Sequence, residues 1–420
     1  MSPAAEDHGG IGAGFPGLAA RLLLRLILPA DRREEFEGDL IEEAETIVLP
    51  RNGRRAALNW FWWQIAASAP SLLAHRLNKE VCMYPQRWTV PAALLVIWGL
   101  WGLVGLGNTP HGGFDWGNST VIGVEAGGPA DQAGLREGDR ILTMGGIPSD
   151  DLGSLQRVPR TEIGETRVLV IERADEATGR TTTENIEITY SRLPAGEQTF
   201  DILGGIIGLV FLLSGLVVFL KAPSTPSLLF AIVGFGFAGS LLPSPYIGSY
   251  GLRTSVSVLF FVAFLTAFAS LLHMLLVFPK RKRVMEKPFV WRLIYLPVVA
   301  FLLLGIIRSF AETPAALRTP GAVLLGLIFI GYLVLSIAAL IHSFVTATPQ
   351  ERAEEGLNFM LAGVVIGLLP LTFMMVAGMF VRTDLLPGSD FLFLTLLLIP
   401  ISFALALLKS AGGSLRPTST

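Results

Sequence analysis

Charge is scarce in this chain. Only 16% of its 420 residues are Asp, Glu, Lys or Arg, where water-soluble domains carry about a quarter. With 51% hydrophobic residues, that deficit points to a chain that crosses a membrane several times. A basic excess is also missing. The net charge of −2 removes any bulk electrostatic case for nucleic acid as a partner. The single cysteine, Cys82, excludes an intramolecular disulfide and a cysteine-based metal cluster. The histidines, His8, His75, His111, His273 and His342, stand singly. There is no His-Glu-x-x-His, no Gly-x-Ser-x-Gly and no Walker A sequence, so the corresponding zinc, serine and phosphate chemistries have no anchor. Gly234-x-Gly236-x-x-Gly239 mimics a dinucleotide fingerprint, but it lies inside an apolar run. It reads instead as a face for close helix packing. No catalytic residue, cofactor or metal is expected, and the chain is read as non-enzymatic. No cleavable leader is expected either, because Arg21 and Arg25 interrupt the apolar stretch at 16–29.

What the chain has in quantity is long apolar runs. Eight are read as spans, at 88–106, 202–220, 225–242, 256–278, 289–307, 321–344, 357–381 and 391–408. Lys and Arg then set the orientation. Arg51, Arg54, Arg55, Arg76, Lys79, Arg87, Lys221, the run Lys280-Arg281-Lys282-Arg283, Lys287, Arg352 and Lys409 fall on one side. Only Arg253, Arg308, Arg318 and Arg382 occupy the short loops of the other. This places both termini in the cytoplasm, the chain in the inner (plasma) membrane and residues 107–195 outside, in the periplasmic or extracellular space. Arg292, at the start of its span, can snorkel to the interface. His273 lies within a span, where an ionisable group is a functional candidate. The plainer reading is an interfacial histidine bonded to backbone or to a neighbouring helix.

Residues 1–14 are Gly- and Ala-rich and read as a disordered tail. Residues 15–87 read as a cytoplasmic helical module. Leu22, Leu23, Leu26 and Ile27 share one face. Asp31 is a candidate N-cap for a helix over 31–48 that ends before Pro50, with Glu34 and Glu35 in its first turn. A third helical stretch, 54–77, carries Trp60, Phe61, Trp62 and Trp63 and should kink at Pro70. The Trp cluster suits either interfacial anchoring or helix packing. Residues 201–409 are the seven-helix part of the membrane region, and 410–420 a cytoplasmic tail.

The most sharply patterned stretch is 119–146. An apolar strand at 121–124 enters a Gly127-Gly128-Pro129 turn, then a short helical turn, then Ala133-Gly134-Leu135, Gly138-Asp139 and a second strand at 140–144. Gly134 suits a positive φ that drops Leu135 into a small core, and Gly138-Asp139 suits a tight turn. Val121, Val124, Gly127, Pro129, Ala130, Ala133, Gly134, Leu135, Gly138, Asp139, Ile141, Leu142 and Gly146 resemble the bacterial form of the PDZ domain. Gly128 departs from it, standing where Ser is usual. Further strands are expected at 167–172 and 181–190, joined by a polar turn at 174–179, and a short groove helix at 150–156. The resemblance implies a module that binds a peptide or protein C-terminus as an added strand. His111-Gly112-Gly113-Phe114 is the candidate carboxylate loop, with Gly112 and Gly113 forming a backbone nest. Phe114, Leu152 and Leu155 would line the pocket for the last ligand side chain. Gly112 stands where an apolar residue is usual, so internal peptides remain an alternative ligand.

Two further segments resemble known families. Leu28-Pro29, Arg33-Glu34-Glu35, Gly38-Asp39-Leu40, Glu42-Glu43, Gly53-Arg54-Arg55 and Trp60-Phe61-Trp62-Trp63-Gln64 resemble the prefix domain that precedes some bacterial macrolide-export-type ABC transporter permeases. Leu272-His273-Met274-Leu275-Leu276-Val277-Phe278-Pro279, the basic loop after it and Tyr295-Leu296-Pro297 resemble the membrane sensor part of ComP-type bacterial histidine kinases. No kinase domain follows, so no kinase activity is implied. The expected architecture is a polytopic α-helical membrane protein of about eight spans, with a small α-helical cytoplasmic module and an inserted extracytoplasmic PDZ-like β/α domain. The function expected is a membrane receptor or scaffold: the PDZ-like domain binds peptide or protein termini, and the bundle anchors or relays to a cytoplasmic kinase, regulator or transporter subunit. An accessory subunit of an envelope or ABC-type transport system is the alternative. An intramembrane protease has the least support, for want of motifs.

Overall fold

The computed structural model describes residues 38–51, 53, 55–57, 59–65, 83–117, 119–150, 155, 161–174, 180–245, 247–287, 289–310, 315–378 and 389–413. The chain divides into two compact units, Met1–Pro85 and Gln86–Thr420.

The described part of the first unit is helical. Ala44, Val48 and Ala57 form a small buried cluster, with Leu49 and Trp60 packed against it. Phe61 and Ile65 are also buried, whereas Trp62 and Trp63 are exposed. The expected helix end before Pro50 is not observed: Leu49, Pro50 and Arg51 are all helical. The reason is a π turn at Ala44–Val48, in which the Leu49 N–H reaches back to Ala44 O. This wider i→i+5 ring relieves the clash that a proline ring makes with the carbonyl four residues earlier. Asp31 and Pro70 lie outside the described residues.

The second unit opens with helix α1 (Thr89–Gly105), which leads into a β-rich insert. Its elements are β1 (Pro110–His111), β2 (Phe114–Gly117), β3 (Thr120–Val124), α2 (Pro129–Gln132), β4 (Arg140–Met144), β5 (Ile147–Pro148), β6 (Thr166–Ala174), β7 (Thr181–Thr189) and β8 (Ser191–Arg192). The sheet order is β2-β3-β4-β6-β7, with β5 paired to β4 and a separate β1-β8 pair. β6 and β7 form a regular antiparallel ladder from Thr166↔Thr189 to Ala174↔Thr181. Alternation along it turns Leu169, Ile171, Ile186 and Ile188 inward. Val121, Ala130, Leu135 and Ile141 complete the core. The β1-β8 pair, Pro110↔Arg192 and His111↔Ser191, brings the two ends of the insert together. An insertion closed in this way leaves the flanking helices free to pack side by side.

The remaining α-helices among the described residues are α3 (Ala195–Lys221), α4 (Thr225–Leu241), α5 (Tyr250–Val277), α6 (Val290–Phe310), α7 (Ala315–Thr346), the short α8 (Pro349–Glu354), α9 (Leu357–Gly378) and α10 (Leu398–Gly413). Capping boxes start two of them: Ser224 with Ser227 opens α4, and Thr348 with Glu351 opens α8. Glycines set the spacing between helices. A Cβ on Gly234 would lie 2.5 Å from Phe211 O of α3, and one on Gly236 would lie 2.4 Å from Ala263 O of α5. Gly234 and Gly236 thus hold α4 close to both neighbours, as a packing face and not a nucleotide site. Gly208 lies against Leu241, and Gly239 against Phe260. These pairings make α3, α4 and α5 successively antiparallel. The insert therefore lies at one end of these helices, and the 278–289 connection at the other.

Five helices among the described residues are long and apolar enough to cross a membrane: Pro85–Asn108, Gln198–Lys221, Gly251–Val277, Val323–Thr346 and Leu392–Gly412. They fall on five of the expected spans. The other three expected spans fall on shorter apolar helices, Thr225–Leu241, Val290–Gly305 and Leu357–Pro370. His273 of α5 approaches the Tyr295 hydroxyl of α6, with Nδ1 at 3.3 Å. The Ser270 hydroxyl is 3.2 Å from the same oxygen. The partner of His273 is thus a neighbouring helix.

Candidate functional site

Three of the expected site residues form the entry to β2. Gly112 O accepts from the Ala130 N–H at 3.0 Å, and Gly113 O accepts from the Glu125 N–H at 2.9 Å. The loop is thereby seated on the first turn of α2. Gly113 is buried and has φ +70°, the left-handed region that glycine adopts without strain. A Cβ there would also meet Pro129 Cδ at 2.9 Å. The absent side chain at Gly112 has a packing reason. A Cβ would lie 2.9 Å from Phe114 Cε1 and 3.1 Å from Tyr190 Cε1. The Phe114 ring folds over Gly112 and packs on the domain core together with Tyr190.

β2 stands at the end of the sheet among the described strands. Phe114 is opposite Val124, and the Glu125 N–H to Gly113 O bond brackets that pair. In an antiparallel ladder this makes Phe114↔Val124 a non-hydrogen-bonded pair. The N–H and C=O of Phe114 consequently point away from β3, toward the open edge. An edge with unpaired backbone groups is a template for one more strand. Leu155 is helical and half-buried. Leu152 lies outside the described residues, as does the rest of the expected groove helix apart from Asp150 and Leu155.

A family model for the PDZ domain matches residues 120–173. Residues 120–173 form a PDZ domain. The match begins at Thr120, so the loop at 111–113 and β2 precede it, and it covers neither the N-terminal module nor the apolar helices. No curated protein and no solved structure matches the chain. The expected strands are present with shifts of a residue or two, whereas β1, β2, β5 and β8 have no counterpart among them. The first and last of these are two residues long, too short for alternation to register.

Two features of the PDZ domain have little signal in the sequence. Asp139 is more than a turn residue. It is 3% exposed, and its carboxylate accepts from Arg136 N–H at 2.8 Å and from Arg173 Nε and NH2 at 2.8 and 2.6 Å. Arg173 also donates to Gly134 O at 2.8 Å and to Glu184 at 2.9 Å. One guanidinium thus ties the turn before β4 to β6 and β7. A buried carboxylate needs such a partner, and the fork geometry of Arg supplies it. The only hint in the sequence is an arginine on a strand beside the core. The second feature is a cavity of about 550 Å³ beside α2, lined by His111, Glu125, Gln132, Glu187 and Thr189 among others. His111 Nε2 lies 2.6 Å from Glu125 Oε2 at its rim.

Proposed function

We propose that this chain is a membrane-anchored, non-catalytic receptor or scaffold whose PDZ domain takes up an extended peptide as a strand along β2. The observation that carries this is the outward-facing N–H and C=O of Phe114 on an end strand of a PDZ sheet. Strand addition uses those groups for affinity and side-chain pockets for choice. In this reading the loop at Gly112 and Gly113 receives the ligand's carboxylate, and Leu155 lines the pocket for its last side chain. The eight-span topology with both termini cytoplasmic and the PDZ domain outside belongs to this proposal. It draws support from the opposite placement of the insert and of the Lys280–Arg283 run at the two ends of antiparallel helices. The N-terminal module, a separate compact unit, is the docking surface for a cytoplasmic partner in this reading.

The test is binding of a C-terminal peptide library to the full chain in mild detergent, read by fluorescence anisotropy. Some sequences should bind, and amidating their C-termini should weaken them about tenfold, the value of a charge-assisted hydrogen bond. Leu155→Glu should abolish binding with the fold retained. Equal binding of acids and amides would replace end capture by internal-strand capture, and no binding at all would sink the reading. Gly113→Val is a poor probe, because its side chain would strike Pro129 and disturb the fold itself. Sidedness is tested separately in a Cys82→Ser background. An impermeant thiol reagent should label Arg180→Cys from outside and miss Arg283→Cys.

A further inference from the structure

The end of the helices remote from the PDZ domain holds a second cavity, of about 640 Å³. It lies between the C-terminal ends of α5 and α7, the 278–289 connection and α8. Four consecutive cations line it, Lys280, Arg281, Lys282 and Arg283, with Val284 and Ala347 among its apolar walls. Two carboxylates also line it, Glu351 and Glu355, half the number of the cations. Glu351 accepts from Lys280, and Glu355 accepts from the Ser410 hydroxyl. The Lys282 ammonium donates to Leu275 O at 3.1 Å and to the Ser343 hydroxyl, both neutral. Arg281 donates to Met285 O at 2.6 Å, and Arg283 is exposed. Among the described residues neither Lys282 nor Arg283 forms an ion pair.

This is an arrangement short of negative charge. The C-terminal carbonyls of α5 and α7 favour nearby cations through the helix dipole, but they do not neutralise them. Half-burial pushes the Lys282 pKa below its ordinary value, because a low-dielectric surrounding disfavours the charged form. The cavity sits at the ends of two membrane-length helices, which stop at Val277 and Thr346; on the proposed topology that is the depth of phospholipid headgroups. Beside it, Ile341 and Val345 on the last turns of α7 are 47% and 66% exposed. Cationic pockets between helix ends, flanked by apolar surface, suit a ligand that is anionic at one end and aliphatic at the other.

We infer that the cavity seats the phosphate-bearing headgroup of an anionic phospholipid, with Lys282 and Arg283 facing the phosphate and the acyl chains lying along α7. The site rests on the reading that these helices cross a membrane. It would tie the 278–289 connection to α7 and α8 by a bound lipid.

The experiment uses the full chain purified in dodecyl maltoside, with retained lipid counted by native mass spectrometry. The probes are dioleoylphosphatidylglycerol, dioleoylphosphatidylcholine and inorganic phosphate. The wild type should retain phosphatidylglycerol in preference to phosphatidylcholine. Lys282→Gln and Arg283→Gln should each weaken retention about fivefold, the effect of roughly one kcal/mol per basic residue at a lipid surface. Lys221→Gln, at the same end of the helices but outside the cavity, should leave it unchanged. Inorganic phosphate at equal concentration should not displace the lipid. Equal retention of the two lipids, or an Arg283→Gln variant as retentive as wild type, overturns the proposal. Displacement by inorganic phosphate overturns it in favour of a soluble phosphate site. If Lys282→Gln fails to fold, exposed Arg283 carries the test alone. Alkaline carbonate separates the two failures: a chain released from membranes refutes the membrane reading, whereas an integral chain without lipid preference refutes only this site.

Discussion

In the PDZ domain, Ile141, Leu169, Ile171 and Ile188 are fully buried, and Glu172, Asn185 and Glu187 alternate with such residues along β6 and β7. In the helices, Val104, Leu327 and Leu369 are as apolar as any core residue and are 82%, 62% and 65% exposed. Water sorts the first region into inside and outside. It does not sort the second in this way, because both faces of these helices are apolar. Shape must do it instead, and small residues that admit a neighbouring backbone are how shape is encoded. Gly102 meets Pro243 O, Gly236 meets Ala263 O, and Gly363 meets Ser402 Oγ, each closer than any Cβ would allow.

The contrast breaks if the helices tolerate bulk where the structure leaves no room. Gly236→Leu should have the largest effect. Its Cβ would lie 2.4 Å from Ala263 O and 2.6 Å from Ala267 Cβ, and overpacking costs up to about 3 kcal/mol and occasionally more, the upper end applying where the obstacle is backbone. The full chain in detergent should lose its monodisperse elution peak. Gly326→Leu, with nothing within 4 Å of its added Cβ, should elute as wild type. Matching behaviour of the two would show that glycine spacing does not hold the helices together. The corresponding cut in the other region is Ile171→Ala, which leaves a hole in a core of small size. A loss of about 3 kcal/mol is expected. Limited trypsin digestion should then cleave within 110–192 while the helical fragments survive. Simultaneous loss of both parts would mean that the insert and the helices unfold as one.

This division also explains what is legible in the sequence. The PDZ motif is legible because turns need particular residues at fixed positions. Gly134 and Gly138 do adopt φ of +87° and +89°, and Leu135 is 2% exposed. The apolar runs are legible as helices, because length and hydropathy suffice for that. Their partners are not. Nothing in the spacing of Gly234 and Gly236 says that one faces α3 and the other α5, since an apolar helix carries no polar face to orient it. At the candidate site the turn before β2 is legible from Gly112 and Gly113, but the packing of Phe114 is not. Its ring packs over Gly112 beside Tyr190, a contact across some 75 residues of chain that no local pattern contains. The helix through Pro50 runs against its sequence because a π turn has no signature as plain as the proline that it accommodates.

Asp139→Asn sharpens the comparison from its polar side. The substitution keeps the size of the side chain and removes the charge that Arg173 clasps. Hydrogen bonds to charged groups are worth about 2 kcal/mol, and Arg173, with its side chain 17% exposed, retains Glu184 as a second partner. The PDZ domain should lose about that much stability, seen as earlier onset of proteolysis within 110–192, with elution of the helical part unchanged. Loss of stability equal to that of Ile171→Ala would show that the ion pair closes this small domain as firmly as a buried core residue does.

The smallest effect lies at the other end of the helices, where charge is exposed to water. Lys280 clasps Glu351, and with the Thr348 N–H it holds the Glu351 carboxyl down from 4.5 to about 2, the Lys280 hydrogen bond being the largest cause. A depressed carboxyl contributes stability that is fully present above its unfolded value and fades as pH falls through its folded one. The melting difference between wild type and Lys280→Met should therefore be constant above pH 4.5 and shrink between pH 4.5 and about 2. The pair is open to solvent, so the difference should be slight and should diminish further in about 1 M salt, where the Debye length is near 3 Å. A difference that survives both acid and salt would mean that the aliphatic stem of Lys280, not its charge, holds α8 against the 278–289 connection. In that case even the polar rim of the helices would be organised by shape, and the contrast with the PDZ domain would extend to the surface.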